Sequence, residues 1–438
     1  AYDADGFHIA RMPFEPESWR DPAPVRIADR DAPRMDGSYG GEEQNVQIGD
    51  VRPYSALRSA RPRYWTPALF VDDVLGTFIG ASTGGTDLVG RLGWAATLAV
   101  NPNSGRWQGY GAVSLGFLGN PRIELVGSRE WDDLGNFVVS DSTRASGVER
   151  EDAVGIFATL VRPHWRNSTF ISAGVERTVR ERSLEGAPDA AFRDPRDDLI
   201  DFSARFAFAN YTTQPFSISR ENGISLNAGV ERRIETDDDP GFPREQTELA
   251  GRIAGYRALH PFGFANHVIA LRASGLLRTD DGASPERIGG VSGSAFDIFG
   301  FDAGVGSLLL PVRGFDRAVR WGTRAWTASA EYRMPLALVG RRPGWSPLYI
   351  DRISALAFAD AGDAWCAGPA ILAYTLRCDT GEDGTVRQRA PLFSAGAELV
   401  LDVDFASILA ARVRAGVAAP LSGPEDQPRL YLQIGSSF

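Results

Sequence analysis

Apolar and polar residues alternate with a period of two along most of this chain. The pattern begins after roughly the first sixty residues and returns, between turn-rich segments, until the chain ends. In the segment 198–212, Phe202 and Phe206 lie on the face opposite Asp201 and Arg205. Successive side chains of a strand point to opposite sides of a sheet, so this segment is predicted to be a strand with one apolar and one charged face. The chain is therefore predicted to be all-β.

About sixteen segments carry this alternation and are predicted to be strands. They are 64–80, 86–100, 106–118, 121–132, 151–163, 167–181, 198–212, 222–235, 245–259, 266–279, 284–289, 324–337, 351–365, 391–404, 406–419 and 429–438. Long connections alternate with short ones, and the long ones are 133–150, 182–197, 236–244, 290–323 and 366–390. A soluble sandwich has shorter strands and points its charges outward. Long strands with a continuous apolar face and a wet charged face favour a transmembrane antiparallel β-barrel.

The last segment, 429–438, shows the pattern at the end of the chain. Leu430 and Leu432 share one face, and Phe438 is the final residue. Outer-membrane barrels close with a strand of this kind, whose terminal ring lies at the membrane interface. Gly435 is expected to weaken strand pairing near the end of this segment. Taken alone, the segment also fits the C-terminal strand of a soluble sheet, and the other strands favour the barrel.

The composition agrees with a barrel. The chain has 438 residues, of which 43% are hydrophobic and 10% aromatic, and 48 are glycine. It contains no run of eighteen apolar residues, so no transmembrane helix is predicted, whereas a membrane strand needs only about 9–11 residues. The net charge is −10, without a basic run, and nucleic-acid binding is not expected.

The first sixty residues differ from the remainder. Residues 1–60 are rich in proline and in charged residues and are predicted to be a periplasmic segment, whereas 61–438 are predicted to form the barrel. The chain begins at Ala1 without a signal-peptide pattern. Because an outer-membrane protein must be exported, we expect a processed or partial polypeptide.

The two cysteines, Cys366 and Cys378, lie twelve positions apart in a connection that contains glycine and proline. In an oxidising compartment a disulfide across this loop is predicted, and two separate thiols are the alternative. No histidine lies near them, so a zinc site is not expected.

Enzyme chemistry is not predicted. The four histidines, His8, His164, His260 and His267, lack the spacing of metal ligands. The segment most similar to a nucleophile elbow, Gly290-Val-Ser-Gly-Ser294, lacks the final glycine and a strand-to-helix turn. We predict neither an enzyme nor a cofactor.

An ordered set of short motifs surrounds the connection 290–323. Its members are Arg287-Ile-Gly-Gly290, Val312-Arg-Gly-Phe315, Ala330-Glu-Tyr-Arg-Met-Pro335, Phe358-Ala-Asp-Ala-Gly-Asp363 and the terminal Phe438. The set resembles the BamA/TamA/FhaC superfamily of outer-membrane insertases and translocators, also called the bacterial surface antigen family. The resemblance covers about 285–438 by motif and 64–438 by number of strands. It implies a sixteen-stranded barrel in the bacterial outer membrane, whose lumen is plugged by this connection. It also implies a weak seam between the first and last strands, at the C-terminal closure that contains Gly435 and Phe438.

The resemblance also implies an inner-loop lock, in which an arginine of the connection is held by acidic residues on the wall. Its residues are Val312, Arg313, Gly314, Phe315, Glu331 and Asp360. The alternation agrees, because Glu331 and Asp360 are both predicted to point inward. Arg313 is expected to bind both carboxylates through paired hydrogen bonds, and Gly314 permits a close backbone approach. A solvated loop arginine is the alternative.

A second resemblance concerns the N-terminus. The stretch Asp5-Gly-Phe-His-Ile-Ala-Arg-Met-Pro13 resembles the end of a blade in a TolB-like β-propeller. The expected function is insertion or translocation of polypeptides at the outer membrane. The alternative is a structural barrel that anchors a periplasmic propeller or a larger assembly, and a solute pore is less favoured because a plug would fill the lumen. The expected partners are outer-membrane lipid and periplasmic or outer-membrane proteins.

Overall fold

The structure is a computed structural model of the chain. It describes residues 2–3, 6–7, 54–72, 75–140, 143–185, 196–236, 245–279, 284–293, 296–298, 301–303, 308–344, 346–367, 390–405 and 409–435. Phe438, Cys378 and most of the segment 1–60 lie outside the described residues, so the propeller resemblance and the boundary at residue 60 stay predictions.

Sixteen strands form one antiparallel sheet, in which each strand pairs with the strands before and after it in the chain. They are β1 (Tyr64–Asp72), β2 (Gly76–Thr86), β3 (Leu92–Val100), β4 (Trp107–Leu115), β5 (Arg122–Ser140), β6 (Thr143–Pro163), β7 (Ser168–Glu185), β8 (Arg196–Ala209), β9 (Gly223–Glu235), β10 (Gln246–Leu259), β11 (His267–Thr279), β12 (Arg324–Arg341), β13 (Leu348–Trp365), β14 (Leu392–Phe405), β15 (Leu409–Ser422) and β16 (Arg429–Ile434). The predicted all-β fold with sixteen antiparallel strands is confirmed.

The remaining described elements are small. One helical turn, α1 (Ala56–Ser59), precedes β1. Three pairs of short strands lie outside the main sheet: Tyr2–Asp3 with Gly6–Phe7, Glu286–Ile288 with Arg320–Gly322, and Phe296–Ile298 with Phe301–Ala303. Within the described residues, no helix has both the length and the apolar character needed to cross a membrane.

The predicted number of strands is right, but two of the segments were wrong. The segment 64–80 contains β1 and the first five residues of β2, which pair with each other as a hairpin. The segment 284–289 pairs only with Arg320–Gly322 and does not join the main sheet. The two differences offset each other, so the connection that carries Arg313 still lies between the eleventh and twelfth strands of the sheet.

The two faces of the sheet differ as the alternation predicts. In β11, Leu271 is 56% exposed, whereas its neighbour Arg272 is 4% exposed and points to the opposite, concave face. The outward face of other strands carries exposed apolar side chains, among them Val154, Phe202, Leu249 and Leu399. The sheet therefore presents apolar side chains outward and encloses ionic ones.

The sheet is strongly curved, and its two ends are β1 and β16. In the part of the chain that the structure describes, no ladder joins these two strands, so the predicted closed cylinder stays a prediction. The curvature is evident because Arg412 of β15 donates a hydrogen bond to the carbonyl oxygen of Ile218, which follows β8, at 2.9 Å. Pro67 lies in β1, and a strand proline is tolerated at the edge of a sheet.

Antiparallel order places alternate connections at opposite ends of the sheet. We call the end with the β2–β3, β4–β5, β6–β7, β8–β9, β10–β11, β12–β13 and β14–β15 connections the turn rim. The other end is the loop rim, and it includes the β11–β12 connection, residues 280–323, which we call the inner loop. The indole N–H of Trp94 donates to the carbonyl oxygen of Ala60 at 2.6 Å, which holds the segment before β1 at the turn rim.

Candidate functional site: a buried charge cluster

Two apolar side chains fix the inner loop against the concave face. Val312 and Phe315 are both buried, and they belong to one hydrophobic cluster with wall residues of four strands. The wall residues are Leu276 of β11, Ala325 of β12, Ala364 of β13 and Leu392 of β14. This packing holds the backbone between them, and therefore Arg313, close to the wall.

Arg313 makes its most extensive contact with Asp360 of β13. Its Nε donates to Oδ2 at 2.7 Å and its Nη2 donates to Oδ1 at 2.8 Å, which is the two-pronged geometry of a guanidinium on a carboxylate. The backbone N–H of Arg313 also donates to Oδ2, at 3.1 Å. Asp360 therefore fixes both the side chain and the main chain at this position.

Two further carboxylates surround the same guanidinium. Nη1 of Arg313 lies 2.8 Å from Oε1 of Glu331 on β12 and 3.0 Å from Oε1 of Glu398 on β14. Nη2 donates to the hydroxyl of Ser329 at 3.0 Å, and the guanidinium carbon lies 3.6 Å from the centre of the Phe358 ring. The side chains of Arg313 and its three carboxylate partners are at most 4% exposed, so their charges are almost fully shielded from water.

Gly314 permits this close approach. Its φ is +90°, a conformation that side chains other than glycine rarely adopt. A Cβ atom built at this position would lie 3.2 Å from the Cβ of Ser394 and 3.3 Å from the Cβ of Ala418. The turn after Arg313 thus requires glycine because of its backbone angle and because of the neighbouring wall.

The charge cluster is larger than the sequence indicated. Arg333 of β12 donates from Nε to Oε2 of Glu331 at 2.8 Å, and Nη1 of Arg414 on β15 lies 3.1 Å from Oε2 of Glu398. We define the charge cluster as Arg313, Arg333, Arg414, Glu331, Asp360 and Glu398. Glu398 and Arg414 lie on the charged faces of their strands, and their contacts with Arg313 and Ser292 of the inner loop are visible only in the structure.

The charge cluster and the inner loop also hold the last strand. The hydroxyl of Tyr431 on β16 donates to Oε1 of Glu398 at 2.7 Å. Asp316 of the inner loop forms a two-pronged ion pair with Arg429, whose Nη2 lies 2.8 Å from Oδ2, and this guanidinium lowers the pKa of Asp316 below its ordinary value. Gly293 also approaches β16, since a Cβ there would lie 2.5 Å from the carbonyl oxygen of Ile434.

A second connection crosses the concave side at the turn rim. The strap, which we define as residues 210–222 between β8 and β9, reaches strands on the far part of the wall. Arg352 of β13 donates to the carbonyl oxygens of Ser217 at 2.7 Å and Pro215 at 2.9 Å. Arg412 reaches Ile218 and also binds Asp402 through two hydrogen bonds, at 2.6 and 2.8 Å.

Releasing the strap is expected to increase ion flow. We predict that the double variant Arg352→Ala, Arg412→Ala shows a severalfold higher single-channel conductance than the unchanged protein in planar lipid bilayers, because it removes the hydrogen bonds that hold the strap across the concave side. Arg324→Ala, which changes an exposed arginine of β12, serves as the control. An unchanged conductance of the double variant would mean that the strap does not limit ion flow.

The other predicted site residues are placed as follows. Gly435 has a φ of +102°, and its N–H donates to the carbonyl oxygen of Arg412 at 2.7 Å, so the backbone bends there while it stays bonded to β15. Cys366 is buried just after β13 and is not a free thiol. Its predicted partner Cys378 lies outside the described residues, as does Phe438, so the disulfide and the terminal ring stay predictions.

The cluster contains no arrangement that indicates catalysis. Its carboxylates are paired with guanidinium groups, which suits them to hold a segment in place. In the part of the chain that the structure describes, no group of three or more His, Cys, Asp or Glu side chains is arranged to hold a metal ion. The absence of a cofactor stays a prediction.

No protein-family model and no curated protein matches the chain. Among solved structures it is similar to BamA from Haemophilus ducreyi lacking POTRA domains 1–3, at 13% identity over 86% of this chain and 75% of that one, with a TM-score of 0.42. It is also similar to CdiB from Escherichia coli, at 13% identity over 85% and 67% of the two chains and a TM-score of 0.46. OprD from Pseudomonas aeruginosa follows at 11% identity over 86% and 91%, with a TM-score of 0.32. These superpositions are loose.

Proposed function

We propose that the chain is an outer-membrane β-barrel of the BamA-like superfamily that inserts or translocates polypeptides at the outer membrane. The observation that carries the proposal is the link between the buried charge cluster and the last strand. Glu398 accepts hydrogen bonds from Arg313 of the inner loop and from Tyr431 of β16. The state of the inner loop and the state of the sheet edge are therefore coupled through one carboxylate.

A buried ion cluster suits an inner loop that has two discrete positions, one bound to the cluster and one released from it. Removing one partner leaves an uncompensated charge in a dry site, so intermediate positions of the loop are costly. An edge strand offers unpaired N–H and C=O groups to another strand, and this is the chemistry by which a sheet accepts an extended polypeptide. In this proposal the hydrogen bond between Tyr431 of β16 and Glu398 decides when that edge is available to a client polypeptide.

A solute pore is the less favoured alternative. The inner loop packs against the wall and the strap is bonded to the wall near the opposite rim, so both are expected to oppose free diffusion. A structural barrel that anchors a periplasmic propeller or a larger assembly is the second candidate. It needs a stable cylinder but gives no role to a charge cluster that contacts the terminal strand.

Depletion of the protein from its native cell provides the test. We expect the outer-membrane levels of other barrel proteins, or the export of one dedicated polypeptide, to fall severalfold in quantitative proteomics. Expression of the unchanged chain should restore these levels, and Arg287→Ala, which changes an exposed arginine of the inner loop, should restore them equally. Unchanged levels of every outer-membrane and exported protein would count against the proposal and favour the structural barrel.

A further inference from the structure

Arginine side chains recur around the turn rim without acidic partners. Six exposed arginines lie in, or within three residues of, five of its connections: Arg91, Arg122, Arg162, Arg166, Arg257 and Arg341. None of the six forms an ion pair with a carboxylate in the described part of the chain. Their charges are therefore available to an external anion.

The turn rim also lacks exposed carboxylates in these connections. The segments 87–91, 116–122, 161–168, 257–266 and 341–347 contain a single acidic residue, Asp87. Asp87 is buried and occupied, because its Oδ1 accepts the N–H of Leu92 at 2.9 Å and its other oxygen accepts the hydroxyl of Tyr54.

The loop rim has the opposite charge. Its connection 235–245 alone contains five acidic residues against one arginine. The chain as a whole carries a net charge of −10. A basic turn rim in an acidic protein is therefore a local feature of one end of the sheet, and overall composition does not explain it.

Large apolar side chains accompany the arginines on the same turns. Leu88, Phe117, Leu118, Trp165 and Phe262 are 60–86% exposed, and they lie on four different connections of the turn rim. The guanidinium of Arg166 lies 3.9 Å from the centre of the Trp165 ring. Exposed rings and aliphatic groups beside arginines form an amphipathic surface, the type that lies at the boundary between lipid headgroups and acyl chains.

We propose that the turn rim is a binding surface for anionic phospholipid headgroups of the leaflet that surrounds it. Arginine forms paired hydrogen bonds with phosphate oxygens, and basic residues near a membrane surface attract anionic lipid. The apolar tips are spread over connections from β2–β3 to β10–β11, which matches a leaflet that encircles the sheet better than a protein bound to one side. The inference rests on the sheet spanning a membrane and is independent of polypeptide insertion.

Lipid retention in a defined mixture tests this inference. The full chain is refolded into bilayers of equal parts phosphatidylglycerol and phosphatidylcholine, extracted with mild detergent, and its co-purified lipids are quantified by mass spectrometry. We expect phosphatidylglycerol to be enriched about fivefold, the factor that corresponds to one basic residue near an anionic surface. The triple variant Arg91→Gln, Arg162→Gln, Arg257→Gln, which removes half of the six arginines, should show a clearly lower enrichment of phosphatidylglycerol than the unchanged protein.

Two matched variants show whether a loss of enrichment comes from the turn-rim arginines, from the lower net charge or from misfolding. Arg144→Gln, Arg287→Gln, Arg324→Gln removes the same charge from exposed arginines of the loop rim and should keep the enrichment. Arg91→Lys, Arg162→Lys, Arg257→Lys keeps the charge at the turn rim and should keep it as well. Equal retention of both lipids by the unchanged protein would overturn the proposal, as would equal losses in the two glutamine variants. Neither result depends on the proteomic outcome of depletion.

Discussion

Replacing Arg313 with alanine is expected to lower the free energy of unfolding by about 3–5 kcal/mol, the range for removing one partner from a buried ion pair. In this variant Asp360 loses the guanidinium that it binds most extensively. Glu331 loses an ion-pair contact of 2.8 Å and Glu398 loses one of 3.0 Å, in a site that excludes water. On a gel that separates the folded barrel from the heat-unfolded chain, the midpoint of heat unfolding should fall by roughly 3–10 °C.

Two companion variants show whether the loss comes from this guanidinium. Arg313→Lys keeps the charge but loses the planar fork that binds Asp360, so an intermediate loss is expected. Arg287→Ala changes an exposed arginine of the same inner loop and should melt with the unchanged protein. If Arg313→Ala also melts at the unchanged temperature, the inner loop is not held by the charge cluster.

Replacing Glu398 with alanine is expected to loosen β16 in particular. Glu398 accepts hydrogen bonds from Arg313, from Arg414 at 3.1 Å and from Tyr431 at 2.7 Å. Its loss leaves β16 held by β15 and by contacts at the two ends of the strand. Amide hydrogen exchange of Arg429–Ile434, measured by mass spectrometry, should accelerate about tenfold or more, as expected when a local opening becomes easier.

The exchange experiment includes a narrower variant and a control. Tyr431→Phe removes one hydrogen bond to a carboxylate, so its effect on β16 should be smaller but in the same direction. Glu130→Ala removes an exposed carboxylate of β5 and should leave the exchange of β16 unchanged. Equal acceleration in β3 and in β16 of the Glu398→Ala variant would indicate general destabilisation, and the link to the sheet edge would then be wrong.

Period-two alternation predicted most of the fold because the strands have one face toward the concave side of the sheet and one face outward. The same pattern predicts an inward direction for Glu331 and Asp360, although Leu356 and Phe358 share the face of Asp360. The structure explains that mixture, since all three β13 side chains are buried and Phe358 stacks on Arg313. Leu356 and Phe358 are therefore apolar residues of the inner face, and their position agrees with an inward direction of Asp360.

The features that the sequence did not predict depend on register and curvature. Glu398 joins the charge cluster because β13 and β14 pair Leu356 with Glu398, a register that composition does not specify. The hairpin of β1 and β2 was missed because its connection, residues 73–75, lacks a proline or asparagine–glycine signal. Gly76, with a φ of +83°, is the only glycine at this turn. The strap was missed because its partners are more than a hundred residues away in the chain.

The hold on the strap has a consequence for how this region tolerates mutation. Arg352 and Arg412 bind main-chain oxygens of Pro215, Ser217 and Ile218, which every amino acid supplies. These hydrogen bonds therefore depend on the wall arginines and on Asp402, and they do not depend on which side chains the strap carries at the three bonded positions. In an alignment of relatives, Arg352 and Arg412 should vary less than the exposed strap residues Thr212, Thr213 and Pro215.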